Sequence, residues 1–227
     1  MKSITWLSPQ DAPDCFPPAE QALDDPPGLL AAGGDLSPER LLAAYERGIF
    51  PWFCAGQPVL WWSPDPRAVL FPEEFRCARS LAKTVRNAGF EVQINGDFAG
   101  VIDGCAAPRA QGAGTWITAQ MRAAYLQLHR LGYAHSLGAY RDGELAGGLY
   151  GVRLGGVFFG ESMFSRQRDA SKVALAHLVE ACVRGGIAVI DCQLASRHLA
   201  SLGSRPIARS QFQALLREHL SLRPAAL

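Results

Sequence analysis

The sequence predicts an α+β protein, with a larger domain over residues 67–227 behind a smaller α+β domain over residues 1–66. Three observations predict it. Val157 to Gln193 reads as strand, helix, strand. Ala134 to Val152 reads as a hairpin turning at Asp142-Gly143, a strong short turn signal. Eleven prolines fall within the first 66 residues, which favours turns and short extended pieces around a single helix. In the strand–helix–strand unit, Val157 to Phe164 is apolar and aromatic, interrupted by Gly160 and Glu161. Asp169 to Arg184 follows as an amphipathic helix, with Ala170, Val173, Ala174, Leu178, Ala181 and Cys182 on one face. Asp169 suits its start and Gly185 follows its end. Ile187 to Cys192 is a buried strand by its continuous apolar run. Alternation then puts Asp191 and Gln193 on one face and Cys192 on the other. Sites of βαβ units gather at strand C-terminal ends.

Composition bounds the rest. A chain of 227 residues, 48% hydrophobic and 19% charged, can bury a substantial core. No apolar run approaches the ~20 residues of a membrane span. Pro9, Asp11 and Pro13 come too early for a signal peptide, so a cytoplasmic protein without membrane contact is expected. The net charge of +1 excludes a globally basic nucleic-acid binder and leaves room for a local basic patch. Cysteines 15, 54, 77, 105, 182 and 192 show no paired metal-ligand spacing, so reduced thiols and no metal are expected.

From the N-terminus, Ser37 caps a helix, Pro38 suits its first turn and Gly48 ends it. Leu41, Leu42 and Tyr45 form its apolar face. Trp52, Trp61 and Trp62 follow closely; each is either core of the proline-rich lobe or a pocket wall between lobes. Arg76 to Asn87 reads as a helix with Arg76, Arg79, Lys83 and Arg86 along one face and no acid between them. Such a stripe is either a solvated face or a grip for phosphates. Glu91 to Asn95 alternates like a strand, and Phe98 to Ala106 reads as a short helix. Ala106 to Gly114 is a glycine-bearing loop with Arg109 as its only charge. Thr118 caps a helix over Ala119 to Leu131, with Met121, Ala124, Tyr125, Leu128 and Leu131 inward. Trp116, just before that cap, is a hydrophobic staple or a pocket wall. The turn at Leu154-Gly155-Gly156 leads into the strand at Val157.

No Ser-His-Asp order with a nucleophile elbow appears. Cys192 reads as a core thiol and Ser162 as a hydrogen-bonding pocket residue. Glu161, Asp191 and Gln193 remain as polar groups in apolar surroundings. For Glu161 the alternative is a buried acid paired with Arg67 or Lys172. Neither Asp191 nor Gln193 opens a large cavity when substituted, so the fold is expected to survive such changes.

The segments Gly-Gly-Asp-Leu-Ser-Pro (33–38), Tyr-Glu-Arg-Gly-Ile-Phe-Pro-Trp-Phe (45–53), Leu-Trp-Trp-Ser-Pro-Asp-Pro-Arg (60–67), Gly-Thr-Trp-Ile-Thr (114–118), Ala-His-Ser (134–136), Phe-Phe-Gly-Glu-Ser-Met-Phe-Ser (158–165) and Ile-Asp-Cys-Gln (190–193) carry a resemblance. In order, and over nearly the whole chain, they resemble the leucyl/phenylalanyl-tRNA–protein transferase family, bacterial aminoacyltransferases that extend protein N-termini. The resemblance implies a GNAT-like (N-acetyltransferase-like) C-terminal domain. It implies transfer of Leu or Phe, with Met as a further donor, from aminoacyl-tRNA to proteins beginning with Lys or Arg, marking them for degradation by the N-end rule pathway. No cofactor is implied. It sets Trp52 beside the aminoacyl end of the donor and Trp116 in substrate contact. It assigns Leu149, Phe158, Met163, Leu178 and Ile190 to the donor's apolar pocket, where Met163 suits two side-chain shapes. It also turns the ridge of Arg76, Arg79, Lys83 and Arg86 into tRNA-backbone contacts.

Asp191, Gln193 and Glu161 are then the catalytic group. An aminoacyl ester is already activated, and an α-amine of pKa ~7.7–8.0 needs only orientation and relief of a proton. Gln193 offers the amine a carbonyl oxygen, and Asp191 either orients that amide or takes the proton. Glu161 and Asp191 together complement a cationic acceptor. The sequence departs from the family at Gly138 (usually Glu), at Leu149 (often Met) and at Cys182 (often bulkier). An acetyl-CoA N-acetyltransferase would need a glycine-rich turn, whereas Gln167 to Lys172 holds no glycine and one acid. A non-catalytic tRNA-binding module would need the ridge but not the pocket with two acids.

Overall fold

The computed structural model describes residues 3–108 and 115–222. β1 (Thr5–Leu7) pairs parallel with β2 (Leu29–Gly33). After α1 (Pro38–Glu46), β3 (Phe50–Pro51) and β4 (Leu60–Trp62) complete a four-stranded sheet in the order β1-β2-β4-β3. α1 begins where Ser37 Oγ accepts the Arg40 N–H at 3.4 Å, with Pro38 in its first turn. The chain leaves it through Gly48 at φ +72°, a left-handed conformation that a Cβ penalises. Trp61 is fully buried and donates its indole N–H to the Gly33 carbonyl at 2.9 Å, so it belongs to the core. Trp62 is half-buried, packs edge-on against Trp52, and donates to the Trp52 carbonyl at 2.7 Å.

The remaining elements are β5 (Arg67–Leu70), α2 (Arg79–Asn87), β6 (Glu91–Ile94), α3 (Phe98–Ala106), α4 (Ala119–Arg130), β7 (Ala134–Arg141), β8 (Glu144–Leu154), β9 (Val157–Ser165), α5 (Ala170–Gly185), β10 (Val189–Gln193), α6 (Arg197–Ser201), β11 (Arg205–Ile207) and α7 (Arg209–His219). Their strands form one sheet in the order β11-β5-β10-β9-β8-β7-β6. β6, β7, β8 and β9 pair antiparallel in succession, and the crossover through α5 sets β10 parallel to β9. This is the α+β order expected. α5 covers one face through Ala170, Ala174, Leu178 and Cys182, packed with Leu149, Phe158 and Ile190. α3 and α4 cover the other through Val101, Ile102, Met121 and Leu128, packed with Tyr150 and Val152.

Several local expectations change. α2 starts at Arg79, so Arg76 lies outside it; the Arg76 N–H donates to the Leu202 carbonyl at 2.9 Å. Only Arg79, Lys83 and Arg86 share the helix. Asp169 does not cap α5 with its side chain. It sits at φ +66° and pairs with Lys172 at 2.8 Å. α5 runs through Gly185, and the glycine that follows its end is Gly186, the left-handed residue. Leu131 follows the last turn of α4 and is 54% exposed rather than inward. Part of the predicted loop over 106–114, residues 109–114 with Arg109, lies outside the described residues. Among the described residues no helix is long and apolar enough to cross a membrane.

One buried ion pair ties the layers. Arg67, on β5, donates from Nε and Nη2 to the two oxygens of Asp191 at 2.8 and 2.7 Å. Its Nη1 donates to the Gly48 carbonyl at 2.9 Å, and its guanidinium lies 4.8 Å from the Phe50 ring centroid and 4.7 Å from that of Phe212. Arg67 is 1% exposed and Asp191 0%. A pair this deep is costly to break from one side, because the partner is left as a bare buried charge. The expectation that the fold is indifferent to substitution at Asp191 is therefore reversed. Asp191→Asn should cost about 3–5 kcal/mol in denaturant unfolding, and Arg67→Met should cost a similar amount. The double variant Arg67→Met/Asp191→Leu should lose less than either single change. A loss under about 1 kcal/mol, the scale of exposed pairs, would show that water reaches the pair.

Candidate active site

Two β-bulges shape the site. Between β8 and β9, Tyr150 faces Ser162 and Gly151 faces Gly160, which leaves Glu161 as the extra residue. Between β10 and β5, Asp191 faces Val69 and Gln193 faces Ala68, which leaves Cys192 as the extra residue. A bulge re-aims side chains and interrupts pairing. The pairing of β9 with β10 stops at Phe159 and Asp191. Both strands continue past that point, and two cavities open there.

The first cavity, of about 130 Å³, has apolar walls of Leu149, Met163, Leu175, Leu178, Ile190 and Leu199, and a polar end of Glu161, Ser162, Asp191, Cys192 and Gln193. The second, of about 250 Å³, is lined by Phe50, Pro51, Trp52, Trp116 and Leu194, and shares Glu161, Cys192 and Gln193 with the first. The predicted residues thus fall into groups. Leu149, Ser162, Met163, Leu178 and Ile190 meet in the first cavity, and Trp52 and Trp116 meet in the second. Phe158 is fully buried in the same apolar cluster and does not line the cavity. Arg76, Arg79, Lys83 and Arg86 are all exposed and line neither cavity.

Asp191 is fully committed. Besides the two Arg67 contacts, its Oδ1 accepts the Gln193 N–H at 3.0 Å and its Oδ2 accepts Gln193 Nε2 at 3.2 Å. Four donors fill the four lone-pair positions of a carboxylate. Gln193 sits at φ +54°, which turns its side chain back onto Asp191. Because a carboxylate only accepts, the amide nitrogen must face it, and the amide oxygen is left as acceptor.

Glu161 is held differently. Tyr45 Oη donates to its Oε1 and Tyr125 Oη to its Oε2, both at 2.7 Å, and the two hydroxyl oxygens are 2.6 Å apart. Burial pushes the Glu161 carboxyl up to about 7; the two tyrosine hydroxyls pull it down, the Asp191 charge raises it and Arg67 lowers it. Neither alternative partner for Glu161 is used: Arg67 goes to Asp191 and Lys172 to Asp169. Tyr45 and Tyr125, read from periodicity as apolar helix faces, are indeed fully buried. Their hydroxyls were the missed signal, since a buried tyrosine usually finds a polar partner.

Cys192 corrects the alternation. As the bulge residue it lines both cavities rather than facing away from Asp191 and Gln193. Burial first, then the Asp191 charge, push its thiol up to about 12, so it stays protonated and is a poor nucleophile. At Gly138 a Cβ would sit 2.8 Å from the Tyr140 ring, so a side chain fits there only if Tyr140 moves aside.

Comparisons with known proteins agree along the chain. A family model described as leucyl/phenylalanyl-tRNA protein transferase matches residues 69–217, and its N-terminal domain model matches residues 34–65. The leucyl/phenylalanyl-tRNA–protein transferase of Pseudomonas entomophila is 57% identical over 217 residues, covering 96% of this chain and 95% of the relative. That of Chromobacterium violaceum is 56% identical, covering 96% and 92%, and that of Aromatoleum aromaticum 59%, covering 92% and 87%. Among solved structures, a GCN5-related N-acetyltransferase from Kribbella flavida matches with a TM-score of 0.41 and 14% identity, over 75% of this chain and 61% of that one. A likeness of that size bears on neither substrate nor mechanism. The sequence relatives decide the matter: this chain belongs to the leucyl/phenylalanyl-tRNA–protein transferase family of aminoacyltransferases.

Proposed function

We propose that the protein moves Leu or Phe, with Met as a further donor, from aminoacyl-tRNA to the α-amine of proteins beginning with Lys or Arg. In this reading it acts in the cytoplasm and marks those proteins for degradation by the N-end rule pathway. The observation that carries it is the small apolar cavity whose polar end is Gln193 and Glu161. An unbranched-at-Cβ apolar side chain fills the cavity while its ester lies beside Gln193. Trp52 and Trp116 form a second wall for the ribose and base at the end of the donor, because aromatic faces stack on bases. Ser162 supplies a hydroxyl, and Phe158 supports the cavity from behind.

With its nitrogen spent on Asp191, the Gln193 amide offers its oxygen to the incoming amine. Asp191 then orients Gln193 rather than touching the acceptor. The Asp191–Arg67 pair is neutral as a unit, so Glu161 carries the net charge that favours a cationic N-terminus. Arg79, Lys83 and Arg86 on one face of α2, with Arg76 just before it, suit the tRNA phosphates. Binding holds ester and amine together, which is the larger part of what an activated ester requires.

Incubation with Leu-tRNA, Phe-tRNA, acetyl-CoA and a peptide beginning with Arg should yield leucyl and phenylalanyl peptide and no acetyl peptide. Peptides beginning with Ala or Glu should react more slowly. Acetylation, or tRNA binding without transfer, would replace the proposal. Gln193→Ala should lower single-turnover transfer by about 10²-fold, the scale of a misplaced reacting group, at unchanged donor affinity; normal transfer would remove Gln193 from the mechanism. Met163→Ala should shift the Phe-to-Leu ratio toward Phe by about 10–200-fold, and a ratio within about twofold would place Met163 outside the pocket. Replacing Lys83 and Arg86 with Ala should reduce the log–log salt slope of tRNA binding by up to about two units. An unchanged slope would move the tRNA elsewhere.

A further inference from the structure

We infer that Tyr45, Tyr125 and Glu161 work as one proton-accepting unit, through which Glu161 takes the acceptor amine's proton and returns it to the departing 3′-oxygen of the tRNA. The inference rests on the aminoacyl transfer proposed above and assigns the proton path within it.

Three oxygen–oxygen contacts of 2.6, 2.7 and 2.7 Å close a ring among Tyr45 Oη, Tyr125 Oη and the Glu161 carboxyl. Two phenolic protons are available for three contacts. With Glu161 ionised, both phenols donate to it, and the contact between the phenols holds no proton. A third proton, on the carboxyl, fills that contact without moving a heavy atom. Glu161 then donates to Tyr45, Tyr45 to Tyr125, and Tyr125 back to the other carboxyl oxygen. The ring is thus built for one more proton than the ionised state holds. The phenols do not supply it by ionising, because burial first and the Glu161 charge next hold both far above the ordinary tyrosine range.

The surrounding groups leave Glu161 as the acceptor. Asp191 on β10 has its lone pairs filled by Arg67 and Gln193. Cys192 on β10 is a protonated thiol. Arg67 on β5 is neutralised by Asp191. Tyr150 on β8 is buried and its hydroxyl is held far above its usual value. Glu161 lines both cavities, and each of its oxygens accepts only one of the two tyrosines. Capacity therefore remains for an amine N–H.

The step balances. The neutral amine attacks the ester carbonyl carbon, and the C–N bond forms as an N–H proton passes to Glu161. As the C–O bond to the ribose breaks, that proton passes to the 3′-oxygen, and Glu161 ends ionised as it began. Tyr45 and Tyr125 touch no substrate. They position the carboxyl and set its proton affinity.

The test is a pH titration of the full chain by difference infrared spectroscopy, paired with single-turnover transfer from Leu-tRNA to an Arg peptide. A carboxylic acid C=O band should grow as pH falls through about 7 and be absent in Glu161→Gln. Its midpoint should move by about one pH unit, the scale of one charge-assisted hydrogen bond, in Tyr45→Phe and in Tyr125→Phe. The limb of the rate–pH profile should move with it. Glu161→Gln should lower transfer by on the order of 10²–10⁴, with donor affinity and melting curve close to the parent's. A midpoint unmoved by both Phe variants, or undiminished transfer by Glu161→Gln, overturns the inference. A parent that transfers nothing refutes the reading beneath it, whereas transfer by parent and Glu161→Gln alike refutes the inference alone.

Discussion

The ion pair between Arg67 and Asp191 is the constraint on which the rest depends. Arg67 enters from the first strand after the small sheet, and Asp191 from a strand near the other end of the chain. Between them they fix β5 beside β10, the turn at Gly48, and the rings of Phe50 and Phe212. A buried pair of this kind is weak evidence for net stability, since hydrophobic residues of similar volume often do as well. Its value here is geometric. A bidentate guanidinium fixes the direction of a carboxylate, and the two lone pairs left over fix the backbone and side chain of Gln193. The chemistry beside the cavity is therefore anchored in the core rather than in a loop.

The bulges at Glu161 and Cys192 are the complementary device. A regular β9 and β10 would go on pairing past Phe159 and Asp191, and their hydrogen bonds would close the space that the cavities occupy. One extra residue in each strand breaks both ladders at the same level of the sheet. The same insertions turn Glu161 toward the tyrosines of α1 and α4, and place Cys192 and Gln193 in the lining that both cavities share. The cost is local: interrupted pairing, and a non-glycine residue at φ +54°, conformations that persist only where neighbours over-determine them.

Much of the fold was legible because its signals are periodic. The hairpin at Asp142-Gly143 and the crossover helix follow from patterns that tertiary packing reinforces; the apolar walls at Leu149, Met163, Leu178 and Ile190 came from the family resemblance, not from any period. What escaped was aperiodic or long-range. Strict alternation misassigned Cys192, because a bulge adds one residue that no period of two contains. The Arg67–Asp191 pair spans 124 residues, and pairing at that separation leaves no local pattern. Helical spacing found Tyr45 and Tyr125 inside but was silent about where their hydroxyls end. Asp169 looked like a cap from its position, yet its own left-handed backbone and a lysine three residues on took its side chain elsewhere.

Opposed forces at Glu161 give the site its poise. Burial alone would drive the carboxyl far up and leave it protonated at neutral pH, unable to accept anything. Two hydroxyl donors alone would hold it down and make it a poor base. Acting together they leave it at about 7, within about one unit of a free α-amine at ~7.7–8.0. In the proposed transfer, carboxylate and neutral amine then compete for a proton on nearly even terms. A single group can accept it during attack and surrender it when the ribose oxygen leaves. Since the ester arrives activated, such a balance demands no stronger base. What it demands is that the donors stay in place, and they come from two helices, α1 and α4, set on different parts of the chain. Docking the small lobe against the large sheet therefore bears on the proposed chemistry: it brings Tyr45 to Glu161, and without it the carboxyl would keep Tyr125 as its one hydroxyl donor among those described.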